Sequence, residues 1–241
     1  MRVLNILFVV IAIPMLMVPA VAAGLAFMTS DDGQPSACYG NIAHGRLENG
    51  KRLLYKGANY RAYHIAGYIT GRTFMHSSVR DASRDAYAAL AQSDPELRFV
   101  YAETGWRHGG RFWPHKTHAN GTSVDYMVPL RDADGNVTEI QASVVNKLGY
   151  NIKFDNDGRG WGGSRIDFEA MAKHLLALDV AARAHGIRIG RVIFEPPLHH
   201  HLFATESGRQ LAGRMNFQTK RAWVRHDQHY HVDFVVPCRK Y

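Results

Sequence analysis

The stretch HDQHYHVDF, residues 226–234, constrains this chain more than any other. Side chains two apart on a β-strand point to the same face. His229 and His231 therefore stand side by side, Asp233 continues their row, and Tyr230, Val232 and Phe234 occupy the opposite face. One face reads as wet and the other as core. Such a segment demands a sheet in which the apolar side packs inward and the histidines do not.

A second stretch, HKTHANGTSVD at residues 115–125, runs into another alternating segment, TSVDYMV. Asp125 faces one way there, and Val124, Tyr126 and Val128 face the other. An acidic side chain in that setting needs a partner, because burying an unpaired carboxylate is costly. His118 precedes it across a loop containing Gly121, and such a loop can turn the imidazole back toward the strand. His118, Asp125 and one histidine of the His229/His231 pair would supply two imidazole nitrogens and one carboxylate oxygen. Those ligands suit Zn2+, and three protein ligands leave a fourth position for water, as in catalytic sites.

Residues 79–92 and 167–185 carry apolar side chains at helical spacing. In the second, Phe168, Met171, Ala172, Leu175, Leu178 and Ala182 form one stripe, and Gly186 is a stop signal. LRFVYAE, IRIGRVIF and HYHVDFVV read as strands, and DADGN as a turn. Helices and strands intermix without regular βαβ alternation. The expected fold class is α+β: a small antiparallel β-sheet core bearing a zinc site, flanked by helices and long loops. His174 and His185, on the second helix, are expected to be solvated. The histidines of EPPLHHHLF (195–203) cannot all reach one ion from a regular element, and are expected in a loop near a substrate groove. DNDGRGWGG (155–163) lacks the closing glutamate of a calcium loop and reads as a surface loop. Trp106, Trp113 and Trp161, in Gly-rich loops, either stack on a ligand or pack.

Residues 1–28 begin with one arginine, run apolar, and end among Ala20, Ala22 and Ala23, the layout of a secretory signal. The run is also long enough to serve as a membrane anchor. Either way the remainder is exported: a linker over 29–37, then one domain over 38–241. Lys and Arg exceed Asp and Glu by 29 to 21, which favours anionic partners without choosing among them. A nucleic-acid partner would explain the charge but neither the histidine blocks nor the leader. The chain has two cysteines, Cys38 and Cys238. In an oxidising compartment they can form one bridge tying the two ends together; the alternative is two buried thiols, which export disfavours.

The sequence resembles the penicillin-insensitive murein endopeptidases, the MepA-type zinc peptidases that cut peptidoglycan cross-links. The resemblance rests on His115, His118, Gly121 and Asp125 in HKTHANGTSVD and on His226, His229 and His231 in HDQHYH, with GGRFWPH and WVRHDQHYHVDF around them. It covers most of residues 36–236. More distantly, the chain is similar to the lysostaphin-type and D-Ala-D-Ala peptidases. The resemblance implies His118, Asp125 and His231 as zinc ligands and His229 as the catalytic residue beside the metal. It implies His115 and His226 as auxiliary histidines lining the site. Asp227 and Asp233 are expected behind the site or at the surface.

The implied activity is zinc-dependent hydrolysis of peptide cross-links between peptidoglycan stem peptides, in the periplasm. The bonds would join D-alanine to a diamino acid or two diamino acids to each other. No nucleic-acid partner is expected, and the membrane would be touched only through a retained N-terminal anchor. The nearest alternatives are a D,D-carboxypeptidase acting on stem-peptide ends and a non-catalytic peptidoglycan-binding protein.

Overall fold

In the computed structural model, residues 33–241 are described. The leader and the first residues of the linker lie outside them. Contacts gather Pro35–Tyr241 into one compact unit. Within the linker range, Ser36 exchanges hydrogen bonds with Ser77 (3.0 and 2.9 Å), and the first strand, β1 (Ala37–Gly40), begins at once. β1 pairs with β2 (Gly45–Glu48) as an antiparallel hairpin. The Cys38–Cys238 disulfide then ties that hairpin to the C-terminal tail, so the bridge, and not a pair of thiols, is what forms.

The central sheet contains β3 (Tyr60–Ala62), β4 (Phe99–Tyr101), β5 (Ser123–Met127), β9 (Arg188–Ile193) and β10 (His229–Val235). Its strand order is β3-β4-β5-β10-β9. β4, β5, β10 and β9 pair antiparallel as expected, but β3 lies parallel to β4. The sheet is therefore mixed. The α-helix α1 (Ile65–Ile69) and α2 (Ser77–Ser93) intervene between β3 and β4, a crossover that permits a parallel pair. A smaller sheet joins β6 (Leu130–Arg131), β7 (Val137–Thr138) and β8 (Arg165–Ile166). The class is α+β.

α2 packs against α3 (Phe168–Ala184), and both lie on the face of the sheet that carries Tyr126 and Tyr230. Asp167 caps α3 by accepting from the Ala170 N–H (2.9 Å). Gly186, at φ +70, ends it in the left-handed conformation that glycine adopts without steric penalty. Among the described residues no helix is long and apolar enough to cross a membrane.

His174 corrects the sequence reading: it is fully buried, not solvated. It stacks on Tyr87 and Phe99, and its Nδ1 lies 2.6 Å from the Tyr230 hydroxyl. His185 is partly buried, its Nε2 2.7 Å from Asp85. Burial holds the His174 pKa down to about 3. The folded protein thus keeps this ring neutral while the unfolded chain takes up a proton below about pH 6.5. Stability is present above that pH and drains away between about pH 6.5 and 3, by roughly 1.4 kcal/mol per pH unit at the steepest. In His174→Phe this loss should shrink, as read by urea unfolding from pH 7 to 4. Equal slopes in the two proteins would show that His174 does not carry it.

Candidate metal centre

The two histidine-bearing segments meet because β10 pairs with β5 in a register that sets His231 opposite Asp125. Their outer faces look away from the helices, and the loop after β4 folds over them. His118 turns back toward the strand at φ +70, a left-handed conformation unusual for a non-glycine residue. Its neighbours leave little choice. Gly121 sits at φ +75 with Leu47 where a Cβ would go, and the Ala119 N–H is held by the Ile42 carbonyl at 2.8 Å. The β1–β2 hairpin thus presses the loop into place.

Asp125 is fully buried at the middle of the cluster. His231 Nδ1 lies 2.8 Å from its Oδ1 and His118 Nε2 3.4 Å from the same atom. Its Oδ2 accepts the Tyr150 hydroxyl at 2.9 Å, with His229 Nε2 at 3.8 Å and His115 Nδ1 at 4.0 Å. His118 Nδ1 lies 3.2 Å from the Thr104 carbonyl, which only accepts, so the hydrogen is on Nδ1. Its buried Nε2 makes no hydrogen bond and turns its lone pair toward an oxygen of Asp125. Two electron pairs facing each other across a buried gap call for a cation between them. The donor set therefore fits a metal ion. His115, His118 and Asp125 each offer a ligand atom, these atoms lie within 4.8 Å of one another, and the group can hold a metal ion.

His231 is bound at both ring nitrogens: Nδ1 to Asp125 and Nε2 to Asp233 Oδ1 at 2.7 Å. Burial opposes its charge, but Asp233 and the hydrogen bonds to both carboxylates outweigh that and push its pKa up to about 10. Asp233 is anchored in turn by the Ser123 hydroxyl (2.7 Å) and by Arg191 (2.6 and 2.9 Å). It is thus the residue that orients His231. The resemblance implies His231 as a ligand and His115 as an auxiliary histidine; the structure brings both to Asp125, His231 Nδ1 at 2.8 Å and His115 Nδ1 at 4.0 Å. His229 is buried beside them, its Nδ1 without a partner, and burial lowers its pKa well below the usual value. His226 stands 4.6 Å from it ring to ring, with Nδ1 on the Val224 carbonyl (2.8 Å). The face read as wet is in fact buried, with His229 and His231 each 3% exposed.

Residues the sequence reading did not single out complete the centre. Glu103 is bound by Tyr63, Arg72 and His115. Burial works against its charge, yet the hydrogen bonds from His115 and Arg72 hold the carboxyl down to about 2. Tyr150 comes from the long connection between β7 and β8. A cavity of about 640 Å3 opens over the cluster, walled by His115, Asp125, His226, His229 and His231 and edged by Arg72, Lys116, Lys147, Lys153, Arg191 and Arg225. His199, His200 and His201 do not border it. They lie on a short helix, α4 (His199–Ala204), and bond to the Phe194, Pro197 and Asn156 carbonyls. Residues 155–159 form a turn in which Asp155 accepts the Asp157 and Arg159 N–H groups, and Trp161–Gly163 follow as one turn of 3-10 helix. Trp113 and Trp161 are exposed. Asp227 accepts from the Phe154 N–H (2.8 Å) and pairs with Arg225.

Comparison with protein-family models and with curated proteins finds no match.

Proposed function

We propose that this protein is a zinc metallopeptidase of the bacterial cell envelope that hydrolyses peptide cross-links between peptidoglycan stem peptides. The observation that carries the reading is the convergence of His118 Nε2 and His231 Nδ1 on one buried oxygen of Asp125, in the wall of an open cavity. His118, Asp125 and His231 would hold the ion, and His115 stands within reach as a further ligand. When bound, zinc polarises a scissile carbonyl and lowers the pKa of a water toward about 7.

The remaining steps belong to the chain itself. For His231 to ligate, its Nδ1 hydrogen, now donated to Asp125, would have to leave on metal binding, while Asp233 would keep the Nε2 hydrogen and so make Nδ1 the atom presented to the centre. Tyr150 donates to Asp125 and fixes the carboxylate's rotamer. His229, buried and held neutral beside the centre, would take up or return a proton at a ring nitrogen. The cavity's edge selects for negative charge. Arg72, Arg191 and Arg225 are already paired with Glu103, Asp233 and Asp227, whereas Lys116, Lys147 and Lys153 form no ion pair among the described residues. Those lysines suit a peptide rich in carboxylates. The leader and the disulfide support an exported, periplasmic setting.

The test is digestion of defined cross-linked muropeptide dimers by the purified protein, read by mass spectrometry. Monomers should appear, vanish with a chelator and return with added zinc. Release of free D-alanine without monomers would replace the endopeptidase by a D,D-carboxypeptidase. Intact dimers and stem peptides under every condition would leave a peptidoglycan-binding protein.

A further inference from the structure

The histidines of HKTH are held by consecutive residues of the segment after β4, by different means. His118 leans its Nδ1 on the main-chain carbonyl of Thr104 (3.2 Å). His115 leans its Nε2 on the side-chain carboxylate of Glu103. A carboxylate already accepting from Arg72 and Tyr63 has no hydrogen to give, so His115 must donate. In a neutral ring this leaves the lone pair on Nδ1, the nitrogen 4.0 Å from Asp125 Oδ2. The two histidines thus offer opposite ring nitrogens, Nδ1 from one and Nε2 from the other, to the same carboxylate.

We propose that Glu103 is a positioning residue of the metal centre: by holding the Nε2 hydrogen of His115, it makes Nδ1 the atom that ring presents to the ion. Its own placement is over-determined. Oε1 accepts the Tyr63 hydroxyl at 3.0 Å and the Arg72 guanidinium, and Oε2 meets His115. The Arg72 guanidinium lies over the Phe112 ring at 4.3 Å and over Trp106 at 5.0 Å. On the main chain, the Asp125 N–H donates to the Glu103 carbonyl at 2.9 Å, which couples Glu103 to the very residue His115 faces. Glu103 is 5% exposed, so water does not compete for these bonds. Such partners of a ligating histidine set its tautomer and basicity.

Glu103→Gln separates this role from bulk and packing. Arg72 has only donors, so the amide oxygen must turn to it and the NH2 group to His115. His115 must then accept at Nε2 and carry its hydrogen on Nδ1, which withdraws its lone pair from the centre. Nitrogen-15 NMR of the metal-free protein should show His115 as the Nε2–H tautomer in the parent chain and the Nδ1–H tautomer in Glu103→Gln. Competition with a chromophoric chelator should show zinc affinity falling about 10–100-fold in the variant. An Nδ1–H tautomer in the parent protein overturns the proposal, and that measurement does not depend on the variant folding. Unchanged zinc affinity despite a switched tautomer overturns it too, because the ion would not be using His115. The inference rests on the metal reading above, yet the two fail differently: a parent protein that binds no zinc ends the metal reading, while the tautomer pair still shows whether Glu103 orients the ring.

Discussion

Replacing His118 by alanine is expected to weaken zinc binding by about two orders of magnitude or more and to take peptide hydrolysis to background. A zinc site binds with roughly 10–16 kcal/mol shared among its ligands, so one ligand in four is worth about 3 kcal/mol, or some hundredfold in affinity. Residue 118 sits at φ +70, a left-handed conformation that histidine and asparagine adopt more readily than alanine does. His118→Asn is therefore the cleaner variant: asparagine tolerates that conformation and still offers no imidazole nitrogen. Zinc retained at parent affinity in His118→Asn would remove this residue from the ligand set. His229→Ala provides the contrast. It should keep zinc and lose about 10²–10⁴-fold in turnover, the usual contribution of a positioned proton-transfer group. Full activity there would end its assigned role.

The second large effect is on stability. Cys38 and Cys238 are 200 residues apart, so their bridge closes nearly the whole folded unit. Loop-closure entropy places a cross-link of that span at the upper end of the usual range, about 3–5 kcal/mol. For a domain of this size that corresponds to roughly 6–20 °C in Tm. Reduction with a dithiol, or Cys38→Ser with Cys238→Ser, should produce that drop. The bridge also anchors the hairpin that presses on the His118 loop. Zinc affinity should accordingly fall in the reduced protein before it unfolds. A melting temperature indifferent to reduction would mean that the tail pairing, Gly40 N–H to the Arg239 carbonyl and Arg239 N–H to the Cys38 carbonyl, closes the unit unaided.

The elements that were legible in the sequence are those whose periodicity serves burial. α2 and α3 each carry an apolar stripe, and β5 and β10 alternate, so their positions and inward faces follow from spacing alone. The parallel pairing of β3 was not legible, because three residues of strand hold too little pattern to specify a partner. His174 was misread for a related reason. A histidine next to a leucine on a helix looks polar in sequence, but here two aromatic rings and a tyrosine hydroxyl accommodate it. In the centre, His118, Asp125, His229 and His231 announce themselves by spacing. Glu103 and Tyr150 do not. Each gains its role from partners brought in by distant loops, Tyr63, Arg72 and His115 for one and Asp125 for the other, and nothing local marks them.

The pairing of β5 with β10 also bears on how the chain finds its fold. His231 lies opposite Asp125, and Tyr230 opposite Tyr126. A slip of one residue would exchange the two faces of β10. Imidazoles would then enter the aromatic layer around Tyr87 and His174, and Asp125 would lose its closest nitrogen in a place that water cannot reach. Stranding a buried charge in this way costs about 3–5 kcal/mol, comparable to a large share of a domain's net stability. The cluster is thus an alignment gauge as well as a candidate site, disfavouring the out-of-step pairing of these two distant strands whether or not an ion has arrived.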